Sequence, residues 1–111
     1  MKIKDWLSFK PVPQISAETL HTQLKSEHRS LFLLDVRSHT EWKLSHIEAS
    51  HCIPVFNVNI SKIPKDKTII CICLTAHRST PVARELLRHG YDVYELSGGM
   101  RAWWQQNYPT L

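Results

Sequence analysis

Thr68-Ile69-Ile70-Cys71-Ile72-Cys73-Leu74-Thr75-Ala76-His77-Arg78-Ser79-Thr80-Pro81 passes from an unbroken apolar run, through a polar loop, to a proline at a helix start. The first part, TIICIC at 68–73, is β-branched and of strand length. A continuous apolar run of that length reads as a strand buried on both faces. Thr80 then caps a helix with Pro81 in its first position, where the missing N–H costs nothing. The helix runs to about His89, and Gly90 supplies the left-handed stop. Strand, loop and helix in this order form the repeating unit of α/β sheets, whose ligands sit beyond the carboxyl ends of the strands. The loop after Cys73 is therefore the first place to look for chemistry.

The flanking sequence repeats the pattern. LFLLDV at 31–36 is a second buried strand. Ser38-His39-Thr40-Glu41 is a capping box that opens a short helix through about Leu44. Residues 50–55 read as a short strand stopped by Pro54, and 56–67 as loop with one helical turn. Toward the N-terminus, Gln14-Ile15 is a short strand, and Ser16 caps a helix with Leu20 and Leu24 on one face. Toward the C-terminus, 93–96 is a strand, Gly98-Gly99 a turn and 100–106 a helix. Asn107 stands where a left-handed residue ends such a helix. The alternation predicts an α/β domain over 14–111, with a mostly parallel sheet covered by helices on both faces. Residues 1–13 form an N-terminal extension ending at Pro11 and Pro13, with Trp6, Leu7 and Phe9 suited to docking on the domain.

Composition narrows the function classes. A chain of 111 residues that is 42% hydrophobic and 22% charged is the size of one domain and has enough apolar residue for a core. Disorder is excluded as the default for its body. The formal net charge of +4 is spread without a basic run, which favours small anions over nucleic acid as partners. No stretch approaches the length of a membrane helix, and residues 1–13 lack the apolar core of a secretory signal. Cys52, Cys71 and Cys73 are odd in number and form no disulfide framework. Together these point to a reducing, cytoplasmic location. The seven histidines show no ligand-like spacing, so no metal is expected.

The loop from Cys73 to Ser79 brings several kinds of positive potential to one thiol. Its backbone N–H groups can curl into an anion-binding cradle. The helix start adds about half a positive charge. Arg78 adds a full charge on a planar fork of donors. A thiol in such a place is expected to be accessible and to ionise more easily than the free value of about 8.5, and the thiolate is the nucleophile. The competing reading is a buried structural thiol, since free cysteine is among the most buried residue types. The residues alone leave both readings open.

Asp35 is expected to make a strand-end hydrogen bond rather than to orient the loop. Arg37 either attracts anions or pairs with Glu41, four residues on. His77 is expected to point to solvent rather than to tune charge or touch a substrate, and His46 is expected to be structural. Alternation puts Cys71 on the same face as Cys73, as a core residue and not a resolving thiol. Cys52 reads as core, and Trp103 and Trp104 as packing for the last helix.

The chain as a whole resembles the rhodanese family. LLDVR at 33–37 with Glu41-Trp42 resembles the family's Asp-Val-Arg strand end and the Glu-aromatic pair after it. Ser45-His46-Ile47 with Ile53-Pro54 resembles its Gly-His-Ile segment. The strand-Cys-loop-Arg-Ser segment at 69–79 follows. Leu96-Ser97-Gly98-Gly99, Ala102-Trp103 and Tyr108-Pro109 resemble its Gly-Gly…Trp…Tyr-Pro tail. Each motif alone is weak, but four in order over residues 14–110 are strong. The resemblance implies about five parallel strands flanked by helices, and Cys73 as a nucleophile that carries sulfane sulfur. It implies an anion cradle made by the backbone of Leu74, Thr75, Ala76, His77, Arg78 and Ser79. It makes Arg78 the substrate-side cation and sets Asp35 and Arg37 beside the loop. Related phosphatases and arsenate reductases follow Cys-x-x-x-x-x-Arg, one residue longer than the spacing from Cys73 to Arg78. The shorter ring resembles the sulfurtransferase loop. Three departures stand out. Ala76 replaces a usual Gly, which strains the loop by about 1 kcal/mol if positive φ is needed there. Ser45 replaces the Gly before His-Ile, and Glu48-Ala49-Ser50 replaces Pro-Gly-Ala.

The expected activity is a ping-pong transfer. Sulfur moves from a small anionic, thiosulfate-like donor to a protein or thiol acceptor through a Cys73 persulfide, with no cofactor. The alternatives are a non-catalytic binding module, a partner-dependent sulfur carrier and, disfavoured by loop length, a phosphatase or arsenate reductase.

Overall fold

A computed structural model describes residues 11–75 and 78–111. Its elements in chain order are β1 (Gln14–Ile15), α1 (Ala17–Glu27), β2 (Leu31–Asp35), α2 (His39–Leu44), β3 (His51–Cys52), β4 (Thr68–Ile72), α3 (Thr80–Arg88), β5 (Val93–Leu96) and α4 (Gly99–Gln105). Among the described residues the five strands form one sheet in the order β1-β5-β4-β2-β3, with every pairing parallel. The expected α/β architecture is therefore present. No helix of the described residues is long and apolar enough to cross a membrane.

The sheet is covered on both faces because β4 is apolar on both. Ile69, Cys71 and Cys73 pack with Val82, Ala83, Leu86 and Val93 under α3. Ile70 and Ile72 pack with Leu20, Met100 and Trp103 under α1 and α4. That division follows from the two-residue period of a strand. Val12, inside the stretch expected to be an extension, is also buried in the first cluster.

Local chemistry sets most boundaries where the sequence places them. Ser16 Oγ accepts the Thr19 N–H at 3.1 Å, and Ser38 with Glu41 closes the capping box of α2. Gly90 and Asn107 are left-handed, with φ of +82° and +56°. Three expectations are corrected. The strand expected over 50–55 is only His51–Cys52. The turn before it places Ala49 at φ +70°, and Pro54 has no N–H for the ladder. Cys52 is half-buried rather than core, because β3 is an edge strand. The cap of α3 is Ser79, one residue before the expected Thr80, and its side chain makes no capping bond.

Candidate active site

Cys73 follows the last residue of β4, the central strand, and has β2 and β5 on either side. It is 1% exposed, so the accessible sulfur expected from the sequence is instead nearly covered. The start of its loop is clamped by the backbone of α4. Met100 N–H donates to the Cys73 carbonyl at 2.8 Å, and Arg101 N–H to the Leu74 carbonyl at 3.1 Å. The approach is so close that a Cβ on Gly99, at φ +58°, would lie 2.4 Å from the Cys73 oxygen. The Gly98-Gly99 pair, read in sequence as a turn, thus also fixes where the loop begins.

Leu74 and Thr75 leave β4 as a half-buried bend. Ala76 and His77 lie outside the described residues, and with them the question of positive φ at 76 and of the His77 side chain. Arg78 is exposed and makes a two-pronged pair with Glu41, Nη1 to Oε1 and Nη2 to Oε2, both at 2.7 Å. This hydrogen-bonded guanidinium holds the Glu41 carboxyl down at about 2, against the partial burial that opposes it. Glu41 in turn holds Arg78 above its ordinary value. The cation expected to face substrate is therefore engaged by a carboxylate from α2.

Of Glu41, Arg37 reaches only the backbone carbonyl, with Nη1 at 3.5 Å, and its charge is turned inward rather than outward. It is 1% exposed and grips Asp35, which is fully buried: Nε to Oδ1 at 2.9 Å and Nη2 to Oδ2 at 2.7 Å. The Arg37 backbone N–H also donates to Asp35, and Nη2 reaches the Ser45 carbonyl at 2.8 Å. The unit ties the end of β2 to the end of α2. Asp35 has the expected strand-end role.

On the other side of β4 lies a group that sequence reasoning passed over. Glu95 in β5 is 3% exposed and is the register partner of Cys71. Its carboxylate accepts hydrogen bonds from Ser79 Oγ at 2.5 Å, Thr80 Oγ1 at 2.8 Å and Gln14 Nε2 at 2.9 Å. Ser79, fully buried, also lies 3.5 Å from Cys73 Sγ, which accounts for the missing capping bond. The available signal was alternation in VYEL at 93–96, which puts Glu95 on the same face as buried Val93. Cys71 is fully buried, and its thiol is pushed up by burial first and then by the charges of Glu95 and Cys73, as befits a core residue. The half-buried Cys52 thiol is raised mainly by burial, and its Sγ faces the Arg37 carbonyl at 3.7 Å. His46 stacks on Trp42, Trp103 is 1% exposed, and Trp104 is partly exposed with its indole N–H on Ser45. A cavity of about 390 Å³ between α1 and α4 has neither cysteine nor arginine in its lining.

A family model described as "Rhodanese-like domain" matches residues 16–106. The chain is 34% identical over 88 residues to the "Probable adenylyltransferase/sulfurtransferase MoeZ" of Mycobacterium tuberculosis, across 75% of this chain and 22% of that protein. It thus spans about a fifth of that relative's length. It is 29% identical over 103 residues to a "Sulfurtransferase" of Allochromatium vinosum, covering 90% of this chain and 95% of that one. Among solved structures, a rhodanese-related protein from Thermoplasma volcanium superposes with a TM-score of 0.80 at 26% identity, over 89% of this chain and 97% of that one.

Proposed function

The chain belongs to the rhodanese-like domain family, and on that premise we propose that it moves sulfane sulfur through a persulfide on Cys73. The observation that carries this reading is the position of Cys73. It directly follows the central strand of a parallel sheet, where such sheets place their chemistry, and four residues separate it from Arg78.

The Cys73 thiolate attacks the outer sulfur of a thiosulfate-like donor. A sulfur–sulfur bond forms at Cys73, the donor's own bond breaks, and its electron pair leaves with sulfite or a similar anion. A nucleophilic acceptor then takes the terminal sulfur and returns the electron pair to Cys73 as thiolate. The backbone of residues 74–79 serves as the cradle for the anion, and no cofactor enters any step. Arg78 binds the donor's oxyanion by exchanging one carboxylate-like partner for another, since its fork already engages Glu41 in the required two-pronged form. Asp35 and Arg37 support the site by fixing the end of β2.

A second reading is favoured by the burial of Cys73. At 1% exposure the sulfur offers little surface to a free small donor, which suits a carrier loaded and unloaded by a protein partner. A relative in which the matching stretch is a fifth of an adenylyltransferase/sulfurtransferase supports a protein acceptor.

Intact mass after incubation with thiosulfate tests the proposal. One added sulfur is expected in the wild type and none in Cys73→Ala. A folded wild type that gains no sulfur from thiosulfate or from a persulfidated protein would leave only a binding module. Aryl phosphate hydrolysis that requires Cys73 would replace the proposal with a phosphatase.

A further inference from the structure

Beneath Cys73 runs a line of polar contacts that the sulfur chemistry above leaves unused. Ser79 Oγ lies 3.5 Å from Cys73 Sγ and 2.5 Å from Glu95 Oε2. Thr80 Oγ1 shares that carboxylate oxygen, and Gln14 Nε2 donates to Oε1. The three partners of the carboxylate among the described residues are neutral. Among the described residues no Lys, Arg or His is in ion-pair contact with Glu95.

A serine hydroxyl carries one hydrogen. When that hydrogen is on the Glu95 side, only lone pairs face the sulfur, and Cys73 S–H makes the contact. When it turns to a sulfur anion, the Glu95 contact requires a proton on the carboxyl. The line therefore has two self-consistent proton arrangements, which differ by two short hops.

We propose that Glu95, acting through Ser79, takes up the proton that Cys73 releases on attacking a sulfur donor and returns it when the persulfide is discharged. The proposal rests on the reading of Cys73 as the sulfur nucleophile. The thiol proton passes to Ser79 Oγ as the Ser79 proton passes to Glu95 Oε2, and the negative charge moves from carboxylate to sulfur. The thiolate then bonds to the donor's outer sulfur, and the donor's sulfur–sulfur electron pair leaves with its anion. On discharge the acceptor bonds to the terminal sulfur, the electron pair returns to Cys73 Sγ, and the protons run back. Burial gives the relay its purpose, because a thiol that is 1% exposed has almost no solvent to take its proton.

Among the described residues, the other groups around the pair leave this role to Glu95. Cys71, on the same face of β4, has its thiol pushed up by burial. Arg78 couples electrostatically to Cys73, but its fork lies on Glu41. Asp35 and Arg37 at the end of β2 neutralise one another. From α3 comes the Thr80 hydroxyl, already bonded to Glu95.

The test is the pH dependence of Cys73 alkylation by iodoacetamide, followed on the Cys73 peptide by mass, with sulfur loading from thiosulfate in parallel. Glu95→Gln keeps an acceptor for Ser79 and Thr80 but cannot take the proton. It is expected to slow alkylation at pH 7 by at least about tenfold and to move the rise in rate to higher pH. Ser79→Ala is expected to do the same, the double variant no worse, and Glu95→Asp to recover part of the rate. A bystander charge predicts the opposite, since removing a negative charge beside a thiolate eases ionisation. An unchanged profile in Glu95→Gln, or one moved to lower pH, overturns the relay. If Glu95→Gln does not fold, Ser79→Thr against Ser79→Ala decides: the hydroxyl must recover part of the rate that alanine loses. Alkylation needs no sulfur donor, so a wild type that alkylates as expected yet loads no sulfur defeats the sulfur reading and not the relay.

Discussion

Two carboxylates flank the carboxyl end of β4, equally buried and differently held. Asp35 on β2 is fully buried, and a guanidinium and a backbone N–H close around it. Glu95 on β5 is 3% exposed and held by two hydroxyls and an amide. A buried charge costs several kcal/mol of desolvation, which a full countercharge with good geometry offsets far better than neutral donors do. The Asp35 side is therefore locked by its hydrogen-bonded ion pair with Arg37. On the Glu95 side a proton can move along the hydrogen bonds without breaking an ion pair. The sulfur stands between a rigid shoulder and one that can exchange protons.

The largest expected effect breaks the rigid shoulder. Asp35→Ala leaves the Arg37 guanidinium buried without its partner, and removing one member of such a pair costs about 3–5 kcal/mol. Urea unfolding should show that loss at pH 7. Glu95→Gln, which strands no charge, should cost about 1 kcal/mol or less by the same measurement. Equal losses in the two variants would erase the contrast between the two shoulders.

A smaller effect tests the backbone clamp on the β5 side. Gly99→Ala meets two penalties: a left-handed φ, at about 1–2 kcal/mol, and a Cβ driven into the Cys73 and Leu74 carbonyls, at about 1–3 kcal/mol. Gly90→Ala meets only the first, because nothing lies within 4 Å of a Cβ there. The difference between the two variants in thermal unfolding isolates the clash. Sulfur loading should fall in Gly99→Ala and hold in Gly90→Ala. If the two variants unfold alike, the Met100 and Arg101 contacts do not fix the loop.

What could be read in the sequence was local. The capping box at Ser38, the stop at Gly90 and the buried runs around Leu33 and Ile70 follow from chemistry within a few residues. The strand-loop-helix order pointed to the loop after Cys73, and the resemblance favoured the nucleophile over a structural thiol. What escaped was lateral. Spacing offers Arg37 a partner at Glu41, yet the fold buries Arg37 at the end of β2, where Asp35 is the reachable carboxylate, and leaves Glu41 to Arg78. Glu95 meets Ser79 across 16 residues and Gln14 across 81, pairings set by strand order alone. The covering of Cys73 belongs to the same class, because burial of a strand end depends on elements that arrive later in the chain. Cys52 lies on an edge strand, and no local signal marks a strand as an edge.

The smallest expected effect joins the two shoulders through Arg78. Its fork reaches from the Cys73 loop to Glu41 on α2, and both side chains are partly exposed, at 41% and 33%. Solvent screening limits such a pair to about 1 kcal/mol or less, well under what the depressed carboxyl alone would suggest. The folded-state value of Glu41 lies below its ordinary 4.5, so the pair's contribution is complete above that pH and fades as pH falls toward about 2. Glu41→Gln keeps the capping box, since glutamine serves there too. The stability difference between wild type and Glu41→Gln should therefore be present at pH 7 and vanish near pH 2. The same substitution releases the Arg78 fork from a competing carboxylate, so thiosulfate should bind more tightly and its KM should fall. A KM that rises instead would mean that Glu41 holds Arg78 in the orientation the donor needs, and that the pair belongs with the rigid shoulder.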